Sequence, residues 1–223
     1  MGELFQSLVN VMTSLTHWLY GWTNTIGVPS YGLAIIILTI LIKVVLFPLN
    51  QRQMMSMRRM QEIQPKIKEI QEKFKKKDPQ KMQQKIMEMY KENQVNPMAG
   101  CLPILVQMPI LIALYRSLLH IEFKSTEHAG FFWINTLSDK DPFFILPILA
   151  GVTTFMQTKL TTSTTDQTQR MMLYMMPVFI AWISTTVPSG LVLYWVMFNI
   201  LGFTQQLLVN RQVEQAKEGA PSK

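Results

Sequence analysis

Polar side chains stand in places where hydrocarbon surrounds them. Thr39 and Lys43 lie in "IIILTILIKVVLFPL" (35–49), Gln107 in the run 98–121, Gln157 in 142–160, and Asn199, Gln205 and Gln206 in 190–209. Together they offer one ammonium, one hydroxyl and several amides, groups that attract carboxylates and hydrogen-bond peptide groups but form no bond-breaking apparatus. Thr39 and Lys43 are one helical turn apart, and Asn199 and Gln206, seven apart, also share a face. The usual catalytic arrangements do not occur. His17, His120 and His128 have no ligand spacing, and the chain contains no HExxH, no GxSxG, no phosphate-cradling Gly loop and no pair of intramembrane carboxylates. Ser189 in "PSGL" reads as a turn residue, and the single Cys101 excludes an internal disulfide and a CxxC site. The sequence points to no metal and no enzyme.

The elements that hold these groups are set by length and hydropathy. With 48% hydrophobic and 16% charged residues among 223, the chain is oily for a soluble domain. Apolar runs at 31–49, 98–121, 142–160, 171–187 and 190–209 each have about the 17–25 residues that a helix needs to cross a bilayer. Five transmembrane helices are expected. Lys43 is a check on cost, since Lys at a helix centre is penalised by about 2.5–3.5 kcal/mol. Thirteen Ile, Leu, Val or Phe residues in 31–49 offset that. Orientation follows from Lys and Arg: residues 1–30 contain none and 52–95 contain twelve. This asymmetry places the N-terminus outside and the hairpin and C-terminus in the cytosol. It also accounts for most of the net charge of +7. Anionic lipid headgroups are therefore nearer partners for the basic block than any specific nucleic-acid sequence.

Orienting the spans puts Lys43 about two-thirds of the way in, with Gln107, Gln157, Asn199, Gln205 and Gln206 at or below mid-depth. Buried polar groups cost several kcal/mol unless they meet partners or water, so they should converge. The result is a hydrophilic groove open to the cytosol and closed outward. Lys43 has a second reading, in which its stem snorkels to the inner interface, about 9 Å away at 1.5 Å per residue. Arg116 is explained by snorkelling at the outer end.

The expected organisation is an outer-surface amphipathic helix and turn (1–28), span 1 (29–50), a cytoplasmic helical hairpin (51–95), span 2 (96–121), an outer loop (122–141), span 3 (142–160), a cytoplasmic loop (161–170), span 4 (171–187), span 5 (190–209) and a cytoplasmic tail (210–223). The first helix carries Leu4, Leu8, Val11, Leu15 and Trp18 or Leu19 at helical spacing. No basic n-region precedes an apolar core, so the mature chain is expected to begin at residue 1. In the hairpin, Ile63, Ile67, Ile70 and Phe74 step by four, three and four, and Met82, Ile86 and Met89 repeat the step. Asp78 and Pro79 open the second arm, and Pro65 is expected to kink or restart the first near Gln64. Met54, Met55, Met57 and Met60 crowd the hairpin base, where they suit either varied binding partners or contact with lipid and neighbouring spans.

Three stretches carry a family resemblance: "QPKIKEIQEKF" (64–74), "NPMAGCLPILVQMPILIALYRSL" (96–118) and "VPSGLVLYWVMFNILGFTQQ" (187–206). In their order and spacing the chain resembles the YidC family of membrane-protein insertases, in its compact bacterial type without a large extracytoplasmic domain. The resemblance implies a five-helix all-α membrane protein of the bacterial cell membrane. It also implies insertion of small membrane proteins through an inward-open groove, with no energy cofactor. Nascent membrane proteins and the lipid bilayer are the implied partners, with the Sec translocon, the signal recognition particle pathway and the ribosome as further candidates. By that resemblance the groove comprises Lys43, in place of the usual Arg, and Thr39, Gln157, Tyr194 and Trp195; Gln107, Asn199 and Gln206 join it by depth. The client-capture surface comprises Met54, Met57, Met60, Ile63, Ile67, Ile70, Phe74, Met82 and Ile86. Lys keeps the charge but loses the planar fork of Arg, and the tail after Asn210 carries three basic and two acidic residues. The rival readings are a small channel or carrier with Lys43 as an anion site, and a chaperone for spans already inserted.

Overall fold

The computed structural model describes residues 2–74, 78–95, 102–162 and 167–218. These form eight helices: α1 (Gly2–Thr25), α2 (Tyr31–Val45), α3 (Phe47–Phe74), α4 (Pro79–Glu92), α5 (Leu102–His120), α6 (Ile145–Thr161), α7 (Gln167–Ser184) and α8 (Ser189–Glu218). No strand occurs among the described residues; the one β-bridge joins Phe131 and Ile134 in the 121–144 loop.

α2 stops where proline requires it. In a continuous helix, the ring of Pro48 would meet the Val44 carbonyl and leave it without its N–H donor. The chain turns by 67° instead, between Val45 and Phe47. Leu46 donates to the Ile42 carbonyl at 2.9 Å, and its own carbonyl accepts from Asn50 N at 2.8 Å, so the break leaves few orphan groups. Pro65 behaves differently from expectation: α3 runs through it unbroken to Phe74. Pro65 lies on the exposed side of the helix, away from the seam with α4, where a missing hydrogen bond can be made good by water. α3 and α4 pack against each other as a helical hairpin. Ile63 and Ile67 are buried with Val95 and pack on Met60, Ile86, Met89 and Tyr90. Asp78 caps α4 by accepting from Lys81 N at 2.9 Å, with Pro79 in the first turn.

The main core lies where α2, α5, α6 and α8 meet under the 121–144 loop, around Tyr31, Ile35, Leu38, Leu114, Leu118, Leu137 and Tyr194. α1 is part of it. Val9 and Met12 pack on Ala113 with Phe5, Leu8 and Ile42, while at the other end Tyr20 stacks on Tyr31 at 4.0 Å. α1 thus runs antiparallel to α2 for several turns and sits against both α2 and α5. Its buried stripe is Val9, Met12, Thr16, Leu19, Tyr20 and Thr23, and the expected apolar positions Val11 and Trp18 face outward. Hydroxyls explain how Thr16 and Thr23 can be inside: each donates to its own helix, to Met12 O and Tyr20 O at 2.8 Å.

α6 holds α7 through a close approach. A Cβ added at Gly151 would stand 3.0 Å from Ala181 Cβ and 3.2 Å from Pro177 O, so the absence of a side chain lets the helices touch. The outer face of α7, with Met171, Met175, Val178 and Trp182, is exposed. Val44, Val45, Leu105, Ile148 and Val152 are exposed as well, and exposed apolar side chains in such number mark a surface made for something other than water. By length and hydropathy, Ser189–Val213 is able to cross a bilayer alone, as are Tyr31–Val45 and Phe47–Phe74 if that bent pair counts as one span; Leu105–His120 and Arg170–Ser184 are shorter apolar helices.

The 121–144 loop seals one end of the bundle with hydrogen bonds. Ser189 N and Gly190 N donate to Asp139 O and Leu137 O at 2.7 and 2.9 Å, and Ser138 Oγ donates to Leu118 O at 2.6 Å. Tyr20 OH meets His128 Nδ1 at 2.7 Å and Tyr31 OH meets His17 Nδ1 at 3.1 Å. Desolvation, aided by Lys124, lowers the pKa of His17, which favours the neutral ring in this contact. Asp141 anchors the loop to α6 by accepting from Trp133 Nε1, Phe143 N and Leu146 N at 3.0, 3.1 and 2.6 Å. Asp141→Ala should therefore cost about 2–3 kcal/mol and lower the melting temperature of the detergent-solubilised protein by about 5–10 °C. An unchanged melting temperature would mean that the loop is held by other contacts.

Candidate functional site

Under the sealed end a cavity of about 590 Å³ runs between α5, α6, α7 and α8 toward the root of α3. Its lining begins at Val187 and Leu191, passes Ile180, Ile183, Leu111 and Ile112, and reaches the polar groups Gln107, Thr154, Gln157, Asn199 and Asn50. The lining is mainly apolar, with amides gathered at the α3 end, so the cavity is less uniformly polar than the buried amides suggested.

Five of the expected groove residues line this cavity: Gln107, Gln157, Tyr194, Trp195 and Asn199. Gln107 Nε2 donates to Tyr194 OH at 2.8 Å, and Asn199 Nδ2 donates to Thr154 Oγ1 at 2.8 Å and to Thr153 Oγ1 at 3.3 Å. These bonds satisfy the polar groups at no cost in unpaired donors and fix three helices around the space. The other three stand outside the lining. Thr39 is fully buried and donates to Ile35 O at 2.7 Å. Gln206, 1% exposed, donates to Asn210 Oδ1 at 3.0 Å, leaving its own oxygen without a partner.

Lys43 follows neither reading of its charge as first drawn, since it does not line the cavity. Its side chain does not run to a surface: the residue is 7% exposed, and Nζ lies 3.6 Å from the centre of the Phe198 ring. Among the described residues it has neither a carboxylate nor a hydrogen-bond partner. A desolvated cation–π contact of this kind is worth about 2 kcal/mol. Gly202 makes the room, since a Cβ there would stand 3.1 Å from Lys43 Nζ and 2.6 Å from Gln157 Nε2. The ammonium thus lies between α2, α6 and α8, beside the cavity and behind one aromatic ring that lines it.

Sequence reasoning passed over Phe198, Gly202, Thr154 and Asn50. Thr154 precedes Gln157 by one turn and was open to the same face argument; Phe198 and Gly202 look like ordinary apolar residues, and only packing against α2 gives them a role. At the hairpin, Met54 is buried, which favours packing over partner binding there, while Met57, Met60, Ile70, Phe74, Met82 and Ile86 are half-buried. Phe74 has the Lys73, Lys81 and Lys85 ammoniums 5.8–5.9 Å from its ring centre. At the α3 root Gln51 is in hydrogen-bond reach of Gln212 and Gln205, at 3.2 and 3.5 Å, and Gln61 Nε2 donates to Leu160 O at 3.3 Å.

Residues 21–217 match the model of the family described as 60Kd inner membrane protein. The chain belongs to that family. It is similar to "Membrane protein insertase YidC" of Wolinella succinogenes, 45% identical over 94% of this chain and 38% of that one. It is likewise similar to "Membrane protein insertase YidC 1" of Listeria monocytogenes, 42% identical over 90% of this chain and 71% of that one. Among solved structures it resembles an active YidC insertase with its first transmembrane domain resolved, with a TM-score of 0.71 and 27% identity over 90% of this chain and 45% of that chain. The chain thus spans under two-fifths of the Wolinella protein. Membership in the 60Kd inner membrane protein family makes it a bacterial membrane protein. Within the family fold, the Gln107–Tyr194 bond is the polar tie between α5 and α8. Tyr194→Phe and Gln107→Leu should each lower stability, with a coupling of about 1 kcal/mol in a double-mutant thermal-unfolding cycle. A coupling near zero would make the bond incidental.

Proposed function

We propose that the chain is a membrane-protein insertase that moves small membrane proteins from the cytosol into the bilayer, and that it does so through the α5–α8 cavity. The observation that carries this reading is a buried ammonium, with no carboxylate partner among the described residues, beside a cavity whose amides lie at the hairpin end and whose other end is capped. In the proposed arrangement the five apolar segments span the bilayer with the N-terminus outside and the C-terminus inside. The twelve basic residues of 52–95 keep the hairpin in the cytosol, so the amide-rich end of the cavity faces the side where proteins are made.

Insertion has to bring a short polar segment past hydrocarbon, and each unsatisfied polar group there costs several kcal/mol. Gln107, Gln157, Asn199 and Asn50 offer hydrogen bonds to such a segment partway through the membrane. Lys43 attracts its acidic residues where charges are weakly screened. The client's apolar helix then slides along Trp195, Phe179 and Ile183 into lipid, and its own transfer free energy, about 0.3–0.6 kcal/mol per Leu, Ile or Phe, drives the step. No covalent chemistry and no cofactor enters. The capped end argues against a conduit, because an ion would meet the 121–144 loop.

The hairpin is proposed as the first contact for the client. Ile63 and Ile67 are spent on joining its arms, which leaves the half-buried Ile70, Phe74 and Met82 nearer the tip for an apolar client segment.

Two experiments test this reading. In vesicles holding the purified protein, Lys43→Arg should preserve insertion of a single-spanning client with an acidic external tail, and Lys43→Leu should reduce it several-fold; equal insertion by all three would remove Lys43 from the mechanism. Deleting 62–92 leaves the Gln61–Leu160 tie in place and should abolish crosslinking to nascent chains while protease resistance of the remaining bundle persists. Undiminished crosslinking would assign capture elsewhere.

A further inference from the structure

The position of Phe198 has a consequence for how the charge is presented. Phe198 lines the cavity and Lys43 does not, although Nζ stands 3.6 Å from the ring centre. The ring also stacks on Tyr194 at 5.8 Å, and Tyr194 is fully buried and held by Gln107. The ends of Lys43 and Gln157 both lie over Gly202, where a Cβ would stand 3.1 Å from Nζ and 2.6 Å from Gln157 Nε2. Two side chains that line the cavity stand next to the ammonium, the Phe198 ring and the Gln157 amide, and the ring is the one stacked on it. α2 and α8 are packed helices, but a phenylalanine ring can change rotamer without disturbing either backbone.

We propose that Phe198 is the positioning residue for the Lys43 charge: in the resting protein its ring shelters the ammonium from the cavity, and an acidic client segment gains the charge by displacing the ring. This rests on the insertase reading and refines it. A permanently open ammonium would bind any small anion in the cytosol and hold it. A sheltered one exchanges an aromatic face for a carboxylate, and so responds to a client that also fills the cavity and turns the ring. Gly202 belongs to the same device. The atoms a Cβ would crowd are the flexible ends of Gln157 and Lys43, so Gly202→Ala should be tolerated by the fold yet push the ammonium out of its niche.

The test is amine reactivity, read residue by residue by mass spectrometry on the full chain in lipid nanodiscs, with a water-soluble N-hydroxysuccinimide ester as probe. In the unsubstituted protein Lys43 should react far more slowly than Lys124 of the outer loop. Phe198→Ser should speed its modification about tenfold, as loss of a cation–π contact allows. Phe198→Leu, which keeps most of the bulk and removes the aromatic face, should speed it by less, Phe198→Tyr should leave it slow, and Gly202→Ala should raise it with the ring intact. Equal Lys43 modification in the unsubstituted, Phe198→Ser and Phe198→Leu proteins would overturn the shelter. Insertion by Lys43→Leu separates the two claims. If that variant inserts client normally while the reactivity pattern holds, the insertase role of Lys43 falls and the shelter stands; the opposite pair of results removes the shelter alone.

Discussion

An ammonium packed among apolar side chains, with no counter-charge beside it among the described residues, is the constraint around which the rest of this fold is arranged. Burying a charge is costly unless it finds a partner, and here the partner is an aromatic face rather than a carboxylate. A carboxylate would have neutralised the charge. The arrangement chosen keeps it whole, which is stable enough to fold and still free to interact. Two neighbouring features serve this: Gly202 leaves space, and Tyr194, tied to Gln107, backs the Phe198 ring.

The polar groups of the bundle divide into two kinds by what satisfies them. Thr16, Thr23, Thr39 and Thr158 return their hydroxyls to carbonyls of their own helices and so occupy helix faces at small cost, while Thr13 also meets Ser117 Oγ of α5 at 2.8 Å. Amides cannot do this as readily. Gln107, Asn199 and Gln206 reach across or along helices, and orphan atoms remain at Asn50, Gln53 and Gln206. Those orphans cluster by sequence at the root of α3 and the facing part of α8, next to the polar end of the cavity. Water or a client backbone there would complete them, which fits the proposed wet entrance at the hairpin side.

Much of this was readable from residue types alone, and the misses have physical causes. The four-three-four step gave the Ile63 and Ile67 seam and Asp78–Pro79 gave the start of α4, because each depends on local periodicity or capping. The buried charge was legible because nothing in an apolar run hides a Lys. What periodicity could not supply was rotation and neighbour identity. α1 has apolar residues on two sides, and only its packing on α2 and α5 selects Val9, Met12 and Leu19 over Val11 and Trp18. Pro65 was expected to break a helix, yet it lies on the exposed side of a continuous one, while the break falls ahead of Pro48, where the chain turns away from the bundle. Phe198 escaped notice because its role exists only opposite Lys43.

The central claim is that water reaches the amide-rich end of the cavity from the hairpin side and stops below the 121–144 loop. The most direct test replaces Cys101 with Ser, introduces one cysteine at a time at Asn50, Gln157, Asn199 or Val187, and measures alkylation by a membrane-impermeant maleimide added to either face of sealed vesicles. The account predicts labelling of positions 50, 157 and 199 from the cytosolic face only, with position 187 refractory from that face. Labelling of position 157 from the outer face, or none at all at 157 and 199 from either side, would contradict it.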